Sequence, residues 1–260
     1  CRVKASDFHI GGYIYTLLCA QIGGAVCAYL LLSPFNEILA QGAFICFFCP
    51  TATAAPVITG ILGGSISRVA TFSLFSHVSV AILAPFLLSW IAGERTPASQ
   101  ISFYDSVFTN AITVLPLILG PLAIAFLLQR FSPKTRDAIA NHQGLSFYIW
   151  AFALIIVVGN SVSFILHEPS DMVPEIVMLA GISLIACILQ FFIGRKTGAH
   201  YGDTVSGSQS LGQKNTVLAI WLSLTYLDPI ISVAPAAYVA WHNTFNAIQI
   251  YRHEKTLKSS

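Results

Sequence analysis

Residues 206–220 read SGSQSLGQKNTVLAI, and they place a lysine, Lys214, among amides and hydroxyls at the entrance to an apolar segment. The rest of the chain is hydrophobic almost throughout. Of its 260 residues, 55% are hydrophobic types and 9% are charged, against about 25% charged in a typical soluble domain. Runs of about 20 apolar residues, enough to span a bilayer, recur along the whole sequence. The composition therefore predicts an all-α polytopic membrane protein.

Eight candidate transmembrane segments lie between the polar breaks of the sequence. They cover residues 8–33, 38–62, 66–92, 103–129, 144–166, 173–194, 206–227 and 229–251. If these segments alternate in direction, eleven of the thirteen Lys and Arg residues fall on the side of both chain ends. Arg95 falls on the other side, and Lys214 alone is left within the membrane. The positive-inside rule then predicts that both ends of the chain face the cytoplasm.

The lysine in the membrane has no acidic side chain at its own depth, because all eleven Asp and Glu residues fall in loops. A lysine at the bilayer centre costs roughly 3 kcal/mol on insertion scales, so we expect it to face a polar interior. The alternative is that its ammonium snorkels to the surface. Lys214 follows Asp203 by eleven residues, about 16 Å along a helix, which is far for a lysine stem to reach.

Two of the segments carry helix-breaking residues near their middle. Residues 44–64 read FICFFCPTATAAPVITGILGG, where Pro50 and Pro56 each remove a backbone donor, and an unwound stretch is expected between them. The seventh segment carries Gly207 and Gly212, and glycine lowers the resistance to unwinding. Paired interruptions of this kind indicate a transporter binding site, because broken backbone is tolerated in a membrane only where it lines a cavity or is buried in protein. The alternative is that the prolines only kink ordinary helices.

The order of straight and broken segments repeats along the chain. Segments one to three run straight, broken, straight, and segments six to eight run in the same order. Because two segments separate these triplets, the second triplet is inverted relative to the first. Two further segments ahead of Cys1 would complete a five-plus-five inverted repeat, so we expect eight of ten transmembrane helices here.

Short motifs spread over the chain resemble the bile acid:sodium symporter family. They are VKASDF at 3–8, AQ at 20–21, CPTATA at 49–54, LGQKN at 211–215 and AWHN at 240–243. The resemblance implies a bacterial-type carrier of the inner membrane with two crossing discontinuous helices. Residues 1–97 and 171–260 would form its core domain, and residues 98–170 part of a panel domain that rocks against the core for alternating access. The implied partners are a small organic anion and the lipid bilayer.

The sodium sites of that family do not carry over intact. Gln21 matches a sodium-binding glutamine, and Ser73 stands where the family has a hydroxyl ligand. Other ligand positions are changed: by this resemblance a Ser-Asn pair is replaced by Ala55-Pro56, a hydroxyl residue by Val69, an acidic ligand by Ser210 and a glutamine by Lys214. A hard cation needs a cage of oxygen ligands, which these changes dismantle. We therefore hypothesise that Lys214 replaces the sodium ion, held by Gln21, Ser210, Ser73 and carbonyls freed at the two breaks.

This hypothesis expects no bound cofactor and makes sodium dependence doubtful, while proton coupling and uniport both stay open. For the substrate, the resemblance points to Thr53, Asn215, His242 and Asn243 near the crossing point. Each side chain offers a donor to a carboxylate or hydroxyl, and helix N-termini add positive potential. The expected substrate is therefore an organic anion, such as a bile-acid-like or pantoate-like carboxylate. A packing histidine is the alternative for His242.

The sequence supports other functions less well than transport. Ser210 and Lys214 stand four residues apart, the spacing of a Ser-Lys nucleophile pair on one helix face, but an oxyanion site is not evident. A membrane receptor is disfavoured by short loops and slight tails. The Cys46-Phe-Phe-Cys49 motif lacks a second pair or a nearby histidine, so no metal site is expected. The basic C-terminal tail indicates topology and not nucleic-acid binding, and the sequence leaves the oligomeric state open.

Overall fold

The structure, a computed structural model, describes residues 11–92 and 172–259, together with isolated positions between 108 and 163. The described residues are almost entirely helical, and the only strand-like feature among them is a single bridge between Thr51 and Lys214. The prediction of an all-α protein is therefore confirmed. Apart from those isolated positions, the predicted segments 103–129 and 144–166 and the panel domain that contains them lie outside the described residues, as does the VKASDF motif.

Eight α-helices lie within the described ranges. They are α1 (Gly12–Leu32), α2 (Glu37–Phe48), α3 (Ala55–Ile61), α4 (Ile66–Ala92), α5 (Val173–His200), α6 (Thr204–Gly212), α7 (Thr216–Tyr226) and α8 (Val233–Ser259), with a 3-10 helix at Pro229–Ser232 before α8. In this part of the chain α1, α4 and α5 are long and apolar enough to cross a membrane. The helices α2 and α7 are apolar but too short to span alone. The helix α8 is long but less apolar, because it carries His242, Asn243 and Asn246.

The two segments with helix-breaking residues are each divided into two helices. The first break separates Phe48 from Ala55, and the second separates Gly212 from Thr216. Pro50 lies inside the first break. Pro56, by contrast, is helical and occupies the first turn of α3, where the missing backbone donor has no helical partner to lose. The predicted unwound stretch therefore begins one residue earlier than expected and ends before Pro56.

The prediction that Gly207 breaks the helix is wrong. Gly207 lies inside α6, and the whole polar run around it is helical and buried. A Cβ atom on Gly207 would lie 2.6 Å from the Cα of Gly198 on α5 and would collide with the carbonyl oxygen of Gly194. The glycine is required because the backbones of α5 and α6 touch. Gly212 is the last residue of α6, so the second break starts immediately after it.

Asparagine or aspartate side chains fix where most of the shorter helices begin. Each of them accepts a hydrogen bond from a backbone N–H two or three residues ahead, which satisfies a donor that the first helical turn leaves free. These capping residues are Asn36 before α2, Asp203 before α6, Asn215 before α7 and Asp228 before the 3-10 helix. Of the two breaks, the second is thus followed by a capping side chain, that of Asn215, whereas Ala54 before α3 makes no side-chain cap hydrogen bond.

The half-helices α2 and α6 enter the molecule from opposite ends of α4. At the start of α4, the backbone N–H of Ser65 donates to the side chains of Asp203 and Ser206, where α6 begins. At the other end, the side chain of Gln41 on α2 donates to the carbonyl of Ile91, at 2.9 Å. The C-terminal ends of α2 and α6 therefore meet in the interior. This direction agrees with an inverted repeat, which itself stays a prediction.

The helix α2 forms the centre of the apolar core. All of its residues from Ala40 to Phe48 are buried, and the rings of Phe44 and Phe48 stack at 5.0 Å. A helix that is buried on every side is typical of the inside of a large helical assembly. The first break, which follows α2 directly, is thus enclosed by protein.

The close approach of α5 and α6 predicts how the protein responds to an added methyl group. Gly207→Ala should lower the apparent melting temperature in detergent, because overpacking a filled contact costs about 1–3 kcal/mol. Gly181→Ala on α5 is the matched control, since a Cβ there has open space, and alanine is preferred over glycine in helices by about 1 kcal/mol. Equal melting temperatures for the two variants would contradict the backbone contact.

Candidate functional site

The two breaks pair with each other through their backbones. The N–H of Ala52 donates to the carbonyl of Gln213 at 3.1 Å, and the N–H of Asn215 donates to the carbonyl of Pro50 at 2.7 Å. Unpaired backbone groups inside a membrane are costly, and the antiparallel pairing satisfies four of them at once. The crossing of the two broken segments is therefore held by reciprocal hydrogen bonds.

The C-terminal turn of α2 leaves carbonyls that no residue of its own helix can satisfy. Pro50 has no N–H to give to the carbonyl of Cys46, which accepts instead from the Gln190 amide at 3.1 Å. The carbonyl of Phe48 accepts from the Gln21 amide at 2.7 Å. Side chains from α5 and α1 thus take over the donor role that the helix has lost.

The remaining two carbonyls of this turn are held by the lysine. The Lys214 ammonium donates to the carbonyl of Phe47 at 2.8 Å and to that of Cys49 at 3.0 Å. The side chain is 2% exposed, and no carboxylate among the described residues forms an ion pair with it. A helix C-terminus carries about half a negative charge. Lys214 therefore lies at the negative end of α2, and the dipole of that helix supplies the charge complement that an acid would otherwise provide.

Gln21 adjoins the ammonium without donating to it or accepting from it. Its amide nitrogen also donates to the carbonyl of Cys49 at 3.2 Å, so Gln21 and Lys214 share one acceptor. Its amide oxygen accepts from the hydroxyl of Ser76 at 2.8 Å. Ser76 was not identified from the sequence, which proposed Ser73, one turn earlier on α4, as a partner of the ammonium. The hydroxyl of Ser73 lies 3.5 Å from Nδ1 of His77 and makes no hydrogen bond to the lysine.

Ser210 is close to the crossing but has other partners than the lysine. Its hydroxyl is 3.1 Å from that of Tyr13 on α1, and its carbonyl accepts from the hydroxyl of Thr51 at 2.6 Å. The expectation that Ser210 holds the ammonium is not met. The i, i+4 geometry of a Ser-Lys nucleophile pair does not apply either, because α6 ends at Gly212, between Ser210 and Lys214.

The four candidate substrate residues lie in two separate places, two at the breaks and two on α8. Thr53 is exposed in the first break, and Asn215 is half-buried as the cap of α7. His242 and Asn243 lie on α8, where His242 is 4% exposed and its ring packs against that of Tyr238. The amide of Asn243 donates to the carbonyl of Val239 in its own helix. None of the hydrogen bonds between described residues joins these four side chains.

A row of buried polar side chains between α6 and α8 was not identified from the sequence. Gln213 donates to Gln209, which donates in turn to Gln249 at 2.9 Å. The hydroxyl of Tyr238 donates to the carbonyl of Gly212 at 2.9 Å. The sequence feature that could have indicated this row is the four-residue spacing of Tyr238, His242 and Asn246, which places these residues on one face of α8.

The structure also bears on metal binding. Among the described residues, no group of three or more His, Cys, Asp and Glu side chains could hold a metal ion. Cys46 and Cys49 are buried free thiols there.

Comparisons with known proteins point to membrane carriers. The chain is 22% identical to the uncharacterized sodium-dependent transporter YocS of Bacillus subtilis (strain 168). The match extends over 207 residues, which are 79% of this chain and 61% of that protein. It is 22% identical over 249 residues to the probable sodium/metabolite cotransporter BASS1, chloroplastic, of Oryza sativa subsp. japonica, covering 91% of this chain and 56% of that protein. The corresponding rice BASS2 is 23% identical over 233 residues, with coverages of 88% and 52%.

These relatives are named as transporters and not as enzymes. The chain spans between about half and three-fifths of the length of the curated relatives it matches. No family model matches it.

The hydrogen bonds of Gln21 predict different effects for two neighbouring serines. Ser76→Ala should destabilise the protein by about 1–3 kcal/mol, because it leaves the buried oxygen of Gln21 without a donor. Ser73→Ala is the matched control and should have little effect, since Ser73 has only the long contact to His77. Thermal unfolding in detergent measures both. A larger loss for Ser73→Ala would show that the hydroxyl chosen from sequence is the one that supports the site.

Proposed function

Membership of the bile acid:sodium symporter family is supported by these relatives, and on that basis we propose that the chain forms a membrane carrier for a small organic anion. In this proposal the carrier works by alternating access, and Lys214 occupies the place of a bound sodium ion. Transport is then independent of sodium. The observation that carries the proposal is the contact of the buried Lys214 ammonium with the carbonyls of Phe47 and Cys49 at the crossing.

The ammonium has the properties that this substitution needs. It carries a single positive charge and up to three donors, and it lies against carbonyl oxygens, the type of ligand that sodium also uses. A cation fixed to the chain stays beside the end of α2, whereas a bound ion does so only while it is present. In this way the cation that relatives take from solution becomes part of the protein.

A sodium-coupled carrier is the second candidate, and the printed names of the relatives favour it. Gln21, which matches a sodium-binding glutamine by resemblance, lies at the crossing and shares the Cys49 carbonyl with Lys214. Both candidates use the same fold and the same crossing. They differ in whether the charge beside α2 comes from the lysine alone or from the lysine together with a sodium ion.

The charge of the crossing supports an anionic substrate. Lys214 is positive, and the N-terminus of α7, capped by Asn215, adds positive potential on the same segment. Thr53, His242 and Asn243 complete the proposed substrate set, with Thr53 open to solvent at the first break. A carboxylate held near Asn215 would face the lysine and the helix terminus without meeting an acidic side chain of the described core.

The proposal includes an orientation and a division into moving parts. Residues 1–97 and 171–260 form the core, which rocks against a panel that includes residues 98–170. Arg68 donates to the carbonyl of Tyr201, so the turn before α4 and the turn before α6 lie at one end, together with the basic end of α5. That clustering supports a cytoplasmic position for this end and for the C-terminus, in a bacterial inner membrane.

Replacing the lysine by the glutamine that the family resemblance places there tests sodium replacement without knowledge of the substrate. Lys214→Gln should make thermal stability depend on sodium, with a higher melting temperature in NaCl than in KCl at equal ionic strength. The reason is that a sodium ion can then occupy the carbonyls of Phe47 and Cys49, and a ligand at 100 times its dissociation constant adds about 2.7 kcal/mol of stability. The unchanged protein should melt at the same temperature in both salts.

The control for this experiment is Lys196→Gln, which removes an exposed lysine on α5 and should leave the salt response unaltered. If the unchanged protein is already stabilised by sodium, the lysine does not replace the ion, and the sodium-coupled carrier becomes the better candidate.

A second substitution tests the sign of the substrate charge. Asn215→Asp and Asn215→Ser both keep a good helix cap, but only the aspartate adds a negative charge. Small carboxylates that raise the melting temperature of the unchanged protein should lose about tenfold or more in affinity in the aspartate variant, because like charges about 4 Å apart repel by roughly 1–4 kcal/mol. The serine variant should bind within a few-fold of the original. Equal binding by both variants would place the anion elsewhere.

A further inference from the structure

The imidazole of His77 lies on the side of α4 that is turned towards the neighbouring helices. His77 precedes Phe86 by nine residues, about two and a half helical turns, so the two side chains point in opposite directions. Phe86 is 50% exposed and belongs to the outer surface of α4, whereas His77 is half-buried. The ring of His77 therefore points into the protein.

The face of α4 that carries His77 is accessible along part of its length. Four residues spaced by three or four positions form this part of the face, namely Ile66, Ala70, Ser73 and His77. Ile66 is 49% exposed, and the other three are half-buried. The next residues on the same face, Ala81 and Ala84, are fully buried. The accessible space along the four residues, called the α4 crevice below, therefore ends beside His77.

The closed end of the α4 crevice lies at the depth of the helix crossing. Ser76, the residue before His77, donates to the amide oxygen of Gln21 at 2.8 Å. The amide of Gln21 donates in turn to the carbonyl of Cys49, which also accepts from Lys214. His77 is thus one residue along α4 from the hydrogen bonds that hold the crossing.

The α4 crevice also leads to the first break. It begins where Ile66 lies against Gly60 of α3, and the short turn of residues 62–65 reverses the chain between these two contacting helices. From Gly60 back to Ala55, α3 rises by about 8 Å, whereas α4 rises by about 16 Å from Ile66 to His77. His77 therefore lies beyond the start of α3, at the level of the break that contains the exposed Thr53.

One ring nitrogen of His77 is engaged and the other is open. Nδ1 lies 2.7 Å from the carbonyl oxygen of Ser73. Because a carbonyl oxygen only accepts, Nδ1 carries the hydrogen, and the neutral ring presents Nε2 as an acceptor. Nε2 makes no hydrogen bond with a described residue and, unlike Nδ1 of His242, is not one of the polar atoms buried without a partner. A ligand in the α4 crevice can therefore reach Nε2, and it must bring a donor.

We propose that His77 is a substrate-binding residue and that the carried anion is a hydroxycarboxylate, whose hydroxyl group donates to Nε2 of His77. The inference rests on the proposed function, which places the carboxylate near Asn215, and it assigns the second polar group of the substrate. A carboxylate alone offers only acceptors, so an anion without a hydroxyl leaves Nε2 unpaired. The positive charge of the crossing attracts small carboxylates in general, and His77 selects among them.

Butyrate and its 2-, 3- and 4-hydroxy derivatives test this selection, because they share a carbon chain and differ only in the hydroxyl. The affinity of each follows from the melting temperature of the purified protein in an uncharged detergent as the ligand concentration rises. At least one hydroxybutyrate should bind about tenfold more tightly than butyrate, the effect of one hydrogen bond between neutral groups. Equal binding of all four compounds overturns the inference and leaves the proposed function intact, whereas binding of none contradicts both.

Two substitutions of His77 separate a binding role from a structural one. Asparagine has an amide donor at the position of Nδ1 and can keep the hydrogen bond to Ser73, but it has no atom at the position of Nε2. His77→Asn should therefore bind every hydroxybutyrate only as well as butyrate. Glutamine extends an amide oxygen to the position of Nε2, so His77→Gln should still prefer the same hydroxybutyrate.

The affinity for butyrate itself should stay within a few-fold of the original in both variants, which shows that the anion site is intact. The control is His200→Gln, a change of an exposed histidine on α5, which should leave all four affinities unchanged. A hydroxyl preference that survives in His77→Asn makes His77 a packing residue and overturns the inference.

Discussion

The requirement that every backbone carbonyl inside a membrane finds a donor determines much of this structure. Proline at position 50 ends α2 in the interior and leaves the carbonyls of its last turn open. Gln190, Gln21 and Lys214 each reach this turn from a different segment and donate to it. The break is therefore not a local weakness of one helix. Its open carbonyls accept hydrogen bonds from α1, α5 and the second broken segment. Because these three segments surround it, α2 is buried on every side.

The Lys214 ammonium and the open carbonyls at the end of α2 satisfy each other's need for hydrogen-bond partners. A buried ammonium without a partner would be expensive, and so would a helix end without donors. Placed together, they pair through hydrogen bonds, and no carboxylate among the described residues takes part. A bound cation could satisfy the same carbonyls, but it could also leave, and its departure would expose the charge of the helix end. In the proposed function, a cation tethered through its own backbone cannot leave, so the carbonyls of the crossing need no metal ion from solution.

Sequence reasoning succeeded where the chemistry was local and failed where it depended on packing. Pro50 and Gly212 act on the backbone within a few residues, so the existence of both breaks could be predicted. The straight segments α1, α4 and α5 could be predicted because each is a long apolar run. Gly207 could not be interpreted in the same way, because a glycine that permits two helices to touch looks the same in sequence as one that unwinds a helix. The partners of Gln21 could not be identified for a related reason. Only the rotation of α4 against α1 decides which hydroxyl contacts Gln21. The partners of Lys214 are backbone carbonyls, and a pattern of side chains in the sequence does not reveal them.

The helix α6 joins the start of the second broken segment to the crossing. Its nine residues span about 14 Å, from the Asp203 cap to the end beside Lys214. It is held at the first end by the hydrogen bonds of Ser65 and Ser206, and near the second by those of Ser210. Along its length Gly207 brings its backbone against α5. The segment that carries Lys214 to the end of α2 is therefore positioned by contacts along the whole of α6, and Tyr13 of α1 contacts it directly at Ser210.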